Sequence, residues 1–289
     1  MEYFAPRTVP EALVFMRKWK KKATLIAGGT NIIPSMRSGE LKQKVLIDLS
    51  QIKILCYIKE EKNRIRIGGL TSISEIASSK IVKIHAPILF EAANQLGNPL
   101  VRNRATIAGN LADGSPAADT AVPLLALEAI VVIQGGKEKQ VPIHQFFVGP
   151  NQTVLKRDEM IKEVIVPKFN PNAKTAYFKL GLRNSMAISV VSIAVLIEME
   201  KTFCKKARIG YGAVAPKPIR AYQIEKMLEN HELTERLLIA CCETIGKEIS
   251  PISDIRASKE YRTEMASVLL RRGIRELVSK SGDAETSSA

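Results

Sequence analysis

Two stretches of this 289-residue sequence carry residue types and spacings suited to chemistry. The first is Leu25-Ile26-Ala27-Gly28-Gly29-Thr30-Asn31-Ile32, where a short apolar run meets two glycines and then small hydrogen-bonding residues. Glycine leaves backbone N–H groups unobstructed, and a row of such amides can hold a phosphate or pyrophosphate. The same residues would also serve a plain strand-to-loop turn, so this segment alone does not decide. The second stretch, Thr106–Thr120, reads TIAGNLADGSPAADT and has no helical or strand period over its first half. Its glycines and alanines allow close backbone approach to a ligand, while Thr106, Asn110 and Asp119 supply separated polar groups. A loop of that length inside a compact domain is usually a binding loop. Ile107, Leu111 and the alanines are too apolar for full exposure.

Other chemistries find less support. His85, His144 and His231 are scattered, with no HExxH and no neighbouring nucleophile pattern, so no catalytic residue and no metal ligand is assigned. Gly210-x-Gly212-x-x-Ala215 matches a dinucleotide fingerprint, but Pro216 and Pro218 deny it the helix that fingerprint needs. No GxxxxGK(S/T) phosphate loop occurs. The cysteines, Cys56, Cys204, Cys241 and Cys242, show no CxxC spacing, and Met1–Arg7 has no secretory pattern. Both observations predict a reducing, cytoplasmic setting. The longest apolar stretches, Val122–Ile133 and Ala187–Met199, are too short to span a bilayer.

Net charge is unusual at +14, with basic runs at Arg17–Lys22, Lys205–Arg208 and Arg271–Arg275. A nucleic-acid surface would gather such charge on one face and interleave aromatics. Here the charge is spread along the chain and aromatics make up 5%, so no nucleic-acid partner is expected. Solvated faces, acidic partners or an anionic cofactor account for the basicity.

The elements that must position the two stretches can be read from capping and periodicity. Thr8-x-x-Glu11 with Pro10 starts a helix, and Ser72-x-x-Glu75 starts another by the same capping logic. Ala23–Ala27 and Val45–Leu49 read as buried strands, and Arg64–Gly68 alternates as a half-buried one. A helix over Ile88–Leu96 ends at Gly97-Asn98-Pro99, and Val141-Pro142-Ile143 opens a loop carrying Phe146–Pro150. Val166–Ala173 breaks all periodicity and marks a domain boundary. Beyond it, Tyr177–Leu182, Ser189–Glu198 and Lys206–Ala213 read as antiparallel strands, followed by helices over Tyr222–Asn230, Thr234–Glu248 and Lys259–Ser279. The fold class is α+β. The polar tail after Ser279 is expected to be disordered.

Taken together, the two stretches make the chain resemble the flavoprotein subunits of the xanthine dehydrogenase, carbon monoxide dehydrogenase and 4-hydroxybenzoyl-CoA reductase family. AGGTN at Ala27–Asn31 is similar to that family's first FAD loop, usually AGGTD; TIAGN…SPAAD at Thr106–Asp119 is similar to its second, including the nine-residue step from Asn110 to Asp119. Phe178-Lys179 with Arg183, the GYGAVAP-x-P-x-R run at Gly210–Arg220, and Arg256–Arg262 resemble its C-terminal domain. The departures are Asn31 in place of Asp, Ala108 in place of Gly, and Met186-Ala187 where animal xanthine dehydrogenases carry acidic residues near the nicotinamide site.

The resemblance implies a PCMH-type, vanillyl-alcohol-oxidase-like FAD-binding domain over residues 1–170, with subdomains of about 1–52 and 53–170. A C-terminal domain of three antiparallel strands and helices would follow over 174–280, with 281–289 as the tail. It implies non-covalent FAD held by Leu25, Ile26, Ala27, Gly28, Gly29, Thr30, Asn31, Ile32, Leu96, Thr106, Gly109, Asn110, Asp119, Leu155 and Lys179. In that scheme Asp119 accepts from ribityl or neighbouring hydroxyls, and Lys179 sits near the pyrimidine end of the isoalloxazine. The molybdopterin cofactor would reside on a large partner subunit and the 2Fe-2S iron–sulfur clusters on a small one. Electrons would leave through FAD to an acceptor, NAD+ being the expected one, and purine hydroxylation is the activity expected of the complex. The rival readings are a stand-alone non-covalent FAD oxidoreductase and a basic nucleic-acid-binding or scaffold protein; the second leaves both glycine-rich loops unexplained.

Overall fold

A computed structural model describes residues 1–286 except positions 43, 171 and 184, with side chains described as far as position 279. Three sheets organise the chain. The first is parallel and small: Val45–Asp48 lies between Glu2–Phe4 and Ala23–Ile26. Parallel strands need a crossover connection, and the helix Val9–Trp19 supplies one between Glu2–Phe4 and Ala23–Ile26. Its start is the one read from sequence: the Thr8 side chain accepts from the Glu11 amide, while Glu11 Oε2 accepts from the Arg7 amide. Ala12, Leu13 and Met16 turn inward against Val45, Ile47 and Leu49.

The second sheet has five antiparallel strands in the order Ile58–Glu60, Arg64–Gly68, Met160–Pro167, Ile130–Gln134, Glu138–Pro142. Helices pack over it. Ile73–Ser78 begins with a full Ser72/Glu75 capping box, and Pro87–Gln95 buries Ile88, Leu89, Ala92 and Ala93. Several local expectations change here. The segment after Gly97-Asn98-Pro99 is a new helix, Pro99–Arg104, because Asn98 Oδ1 accepts from the Val101 amide and so caps it. Ile143–Phe146 is a short helix and not loop, with Ile143 and Phe146 buried. The apolar run from Leu124 to Ile133 divides into a helix, Ala121–Ala126, and the strand Ile130–Gln134.

The third sheet carries Lys174–Leu180, Val191–Glu200 and Phe203–Gly212 as long antiparallel strands. Two short strands, Ile219–Arg220 and His231–Glu232, extend the expected three to five. Gly210 and Gly212, the sites of the false dinucleotide fingerprint, serve packing instead. A Cβ on Gly210 would stand 2.3 Å from the Val122 carbonyl oxygen, so glycine lets the Ala121–Ala126 helix lie directly on this strand. The last helix, Lys259–Thr286, continues seven residues past the point where a disordered tail was expected; positions 287–289 lie outside the described residues.

The two large cores are not separate. Tyr177, Ala194 and Leu196 of the third sheet belong to the core of the second, beneath Leu124 and Leu125. Arg220 is buried between the bodies, paired with Glu225 Oε2 at 2.6 Å and with Glu128 Oε1 at 2.9 Å. All four cysteines are free.

Candidate functional site: a two-loop cradle beside a buried ion pair

The strand Ala23–Ile26 ends at Gly28-Gly29, and the helix Ile32–Arg37 begins three residues later. Gly29 has φ +76°, a left-handed conformation that favours glycine. Gly28 is required for a different reason: a Cβ there would stand 1.8 Å from the Arg104 carbonyl oxygen and 3.0 Å from the Ala105 nitrogen. The first loop therefore abuts the backbone that leads into the second. Among the described residues, the amides of Gly28, Gly29, Thr30, Asn31 and Ile32 donate to no backbone or side-chain acceptor. Five undonated N–H groups in one turn form an electropositive concavity.

The second loop departs from its expected form. Its first half is a helical turn, Ile107–Ala112, capped by Thr106, whose Oγ1 accepts from the Gly109 amide at 3.1 Å. Ile107, Ala108 and Leu111 escape period detection because the turn is short, but all three are buried. Its backbone is pinned from the sheet side: the Ile107 amide donates to Thr71 O and the Ala108 amide to Gly69 O.

Both loops open on one cavity of about 430 Å³. It is lined by Leu25, Ile26, Ala27, Gly28, Gly29, Thr30, Asn31 and Ile32 on one wall, and by Thr106, Gly109 and Asn110 on the other, with Leu96 and Leu155 also in contact. Sequence reasoning missed Leu70, Val101, Met160 and Ile161, which line the same cavity from sheet and helix ends. No motif marks them: Met160 and Ile161 arrive by strand pairing, Leu70 by the turn after Arg64–Gly68, and Val101 on the helix Pro99–Arg104.

Asp119 and Lys179 do not line this cavity. They bind each other: Lys179 Nζ donates to Asp119 Oδ2 at 2.7 Å and lies 3.3 Å from Gln95 O, and Ser189 Oγ donates to Asp119 Oδ1 at 2.9 Å. Both side chains are about nine-tenths buried. Burial pushes the Asp119 carboxyl above its ordinary value, with the Lys179 ammonium opposing the rise. The fully buried Tyr177 phenol is pushed well up by burial and then by the Asp119 charge. Its hydroxyl has no geometrically sound hydrogen-bond partner among the described residues. Lys179 also lines a second, polar cavity of about 500 Å³ with Arg102, Arg183, Met186 and Ala187. Asn94–Arg102 separates the two cavities: Leu96 and Val101 face the first, Gln95 and Arg102 the second. Among the described residues no cluster of His, Cys, Asp and Glu could hold a metal ion, and no helix is long and apolar enough to cross a membrane.

The cradle fits a pyrophosphate-bearing cofactor. Its first-loop wall presents backbone donors and much of the remaining lining is aliphatic, with Asp113 and Glu159 adding carboxylates, and glycine keeps its floor open to close approach. Comparison with known proteins gives the same class. The family described as the FAD binding domain in molybdopterin dehydrogenase matches residues 1–169, and the CO dehydrogenase flavoprotein C-terminal domain matches residues 176–277. The chain belongs to this family of FAD-binding subunits of molybdenum hydroxylases, and it is thus a subunit of an oxidoreductase. It is 32% identical over 274 residues to the carbon monoxide dehydrogenase medium chain of Hydrogenophaga pseudoflava, covering 94% of this chain and 95% of that one. It is 31% identical to the nicotinate dehydrogenase FAD-subunit of Eubacterium barkeri, with 91% of each covered. It is 30% identical to a putative xanthine dehydrogenase FAD-binding subunit of Escherichia coli, with 90% of each covered. A solved carbon monoxide dehydrogenase structure from Hydrogenophaga pseudoflava superposes with a TM-score of 0.94 at 31% identity, covering 96% of this chain and 97% of that one.

Proposed function

We propose that this chain is the electron-transfer subunit of a xanthine dehydrogenase-type complex and holds FAD non-covalently in the two-loop cradle. The observation that carries the reading is the row of undonated amides at Gly28–Ile32, set across one cavity from Thr106, Gly109 and Asn110. The amides of the first loop bind and orient the pyrophosphate, with the Thr30 hydroxyl beside them. Thr106 Oγ1 accepts from the Gly109 amide, which leaves its O–H to donate to a phosphate oxygen. Leu96, Leu155 and the sheet-end residues exclude water from the apolar part of the cofactor. Lys179 stands at the wall between the cavities, held by Asp119, where its charge is directed and its chain immobile. Flavin supplies the redox step, accepting and passing on electrons.

Within that scheme, electrons enter from the iron–sulfur clusters of a small partner subunit. The substrate is oxidised on a large subunit carrying the molybdopterin cofactor. NAD+ is the proposed acceptor. The second cavity, with Arg102 and Arg183 on its walls and the cradle next door, has the charge to take its phosphates. Relatives of nearly equal identity include xanthine, nicotinate and carbon monoxide enzymes, so the substrate is set by the partner chain. Four unbridged cysteines fit a cytoplasmic setting. A visible absorption spectrum of the purified chain, before and after acid precipitation, tests the proposal. Flavin bands that pass into the supernatant are expected. A protein that stays colourless after incubation with excess FAD would end it.

A further inference from the structure

Thr120 stands at the N-cap of the helix Ala121–Ala126, yet its side chain makes no cap hydrogen bond. Thr8, Thr106 and Thr234 hold the same place on their helices, and each accepts from the third amide of its own helix. The Thr120 hydroxyl is directed elsewhere. It donates to Asn110 Oδ1 at 2.6 Å, and the Thr120 backbone N–H points at the same oxygen at 3.2 Å. Thr120 is fully buried, so solvent does not compete for either bond.

A backbone N–H can only donate, so the atom it meets on Asn110 must be the carbonyl oxygen. That fixes the amide: with Oδ1 held by two donors, the NH2 group is directed away from Thr120. Among the described residues Nδ2 donates to nothing, and Asn110 lines the cradle. The opposite wall is a row of amide donors. A flipped Asn110 would set a carbonyl oxygen among them, where it would repel an anionic ligand.

We infer that Thr120 is a positioning residue: it locks the Asn110 amide so that Nδ2 is presented as a donor to a phosphate oxygen of FAD. This rests on the cradle being the FAD site and adds a residue that does not itself line the cavity. Thr120→Val retains the shape and the backbone N–H but removes the hydroxyl. It should weaken FAD binding by the full-length apoprotein roughly tenfold, read by quenching of flavin fluorescence, while Thr120→Ser stays within about twofold of the parent. In an Asn110→Ala background, Thr120→Val should cost nothing further, because the group it positions is gone. Equal losses in both backgrounds, or unchanged binding by Thr120→Val, would overturn the inference. Asn110→Asp gives a check that does not depend on how Thr120→Val folds. Its carboxylate cannot donate and should bind FAD more weakly than Asn110→Ala; binding as tight as Asn110→Ala would equally overturn it. If the parent chain itself binds no FAD, the cradle assignment fails instead.

Discussion

Gly28 joins the two halves of the cradle, and Gly28→Ala is the sharpest perturbation of it. The added methyl carbon would lie 1.8 Å from Arg104 O and 2.5 Å from Arg104 C, both backbone atoms that no side-chain rotation can clear. To regain van der Waals distance the two backbones must separate by about 1.5 Å. The second side can move little, since the Ala105 amide is bonded to Val101 O and the Ala105 carbonyl accepts from the Ile73 amide. The displacement therefore falls on the amides of Gly28–Ile32. Overpacking of this kind costs about 1–3 kcal/mol, which lowers the apoprotein midpoint by several degrees at about 2–4 °C per kcal/mol. The effect on the cofactor is larger. Moving a row of amides by more than 1 Å removes at least one charge-assisted hydrogen bond of about 1.5–3 kcal/mol, so FAD affinity should fall roughly 100-fold. Thermal unfolding of the apoprotein and fluorescence titration with FAD measure the two separately. A Gly28→Ala protein with parental midpoint and parental FAD affinity would refute the abutment of the loops.

Two further outcomes follow from the charged groups. Lys179→Met leaves Asp119 buried without its cation, and breaking such a pair costs about 3–5 kcal/mol at neutral pH. The sign is set by the raised Asp119 carboxyl: ionising it opposes folding, so the penalty should shrink as pH falls through the carboxylate range, and urea midpoints of variant and parent should converge near pH 4. A constant difference across that range would deny Asp119 its charge. Asp254 behaves oppositely: burial pushes it up, but the Arg256 and Ala257 amides and the Arg262 guanidinium outweigh burial and hold it at about 2. Its contribution is present above the ordinary carboxylate value and lost as pH falls towards 2, so Asp254→Asn should be less stable than the parent at pH 7 and equal to it near pH 2 by thermal unfolding.

What could be read from sequence was whatever is local. The Thr8/Glu11 and Ser72/Glu75 caps are contained within four residues, and the glycine-bearing stretch Leu25–Ile32 carries its backbone requirement in its own side chains. Elements of six residues were harder. Pro99–Arg104 and Ile107–Ala112 are too short to show a period, and only their Asn98 and Thr106 caps announce them. Contacts set by strand register were not legible. Asp119 and Lys179 are 60 positions apart, and nothing in either segment indicates that they pair with each other. The length of the final helix was misjudged because its last residues are polar, which composition alone reads as unfolded.

The free cysteines have a chemical corollary. Burial pushes Cys204 and Cys241 up to about 12 and raises Cys56 and Cys242 as well. Oxidants and disulfides attack the thiolate form, and at neutral pH these four side chains remain thiols. The four cysteines thus offer almost no thiolate, so a foreign disulfide finds little to attack it, and peroxide would meet the exposed thioethers of Met1 and Met186 first.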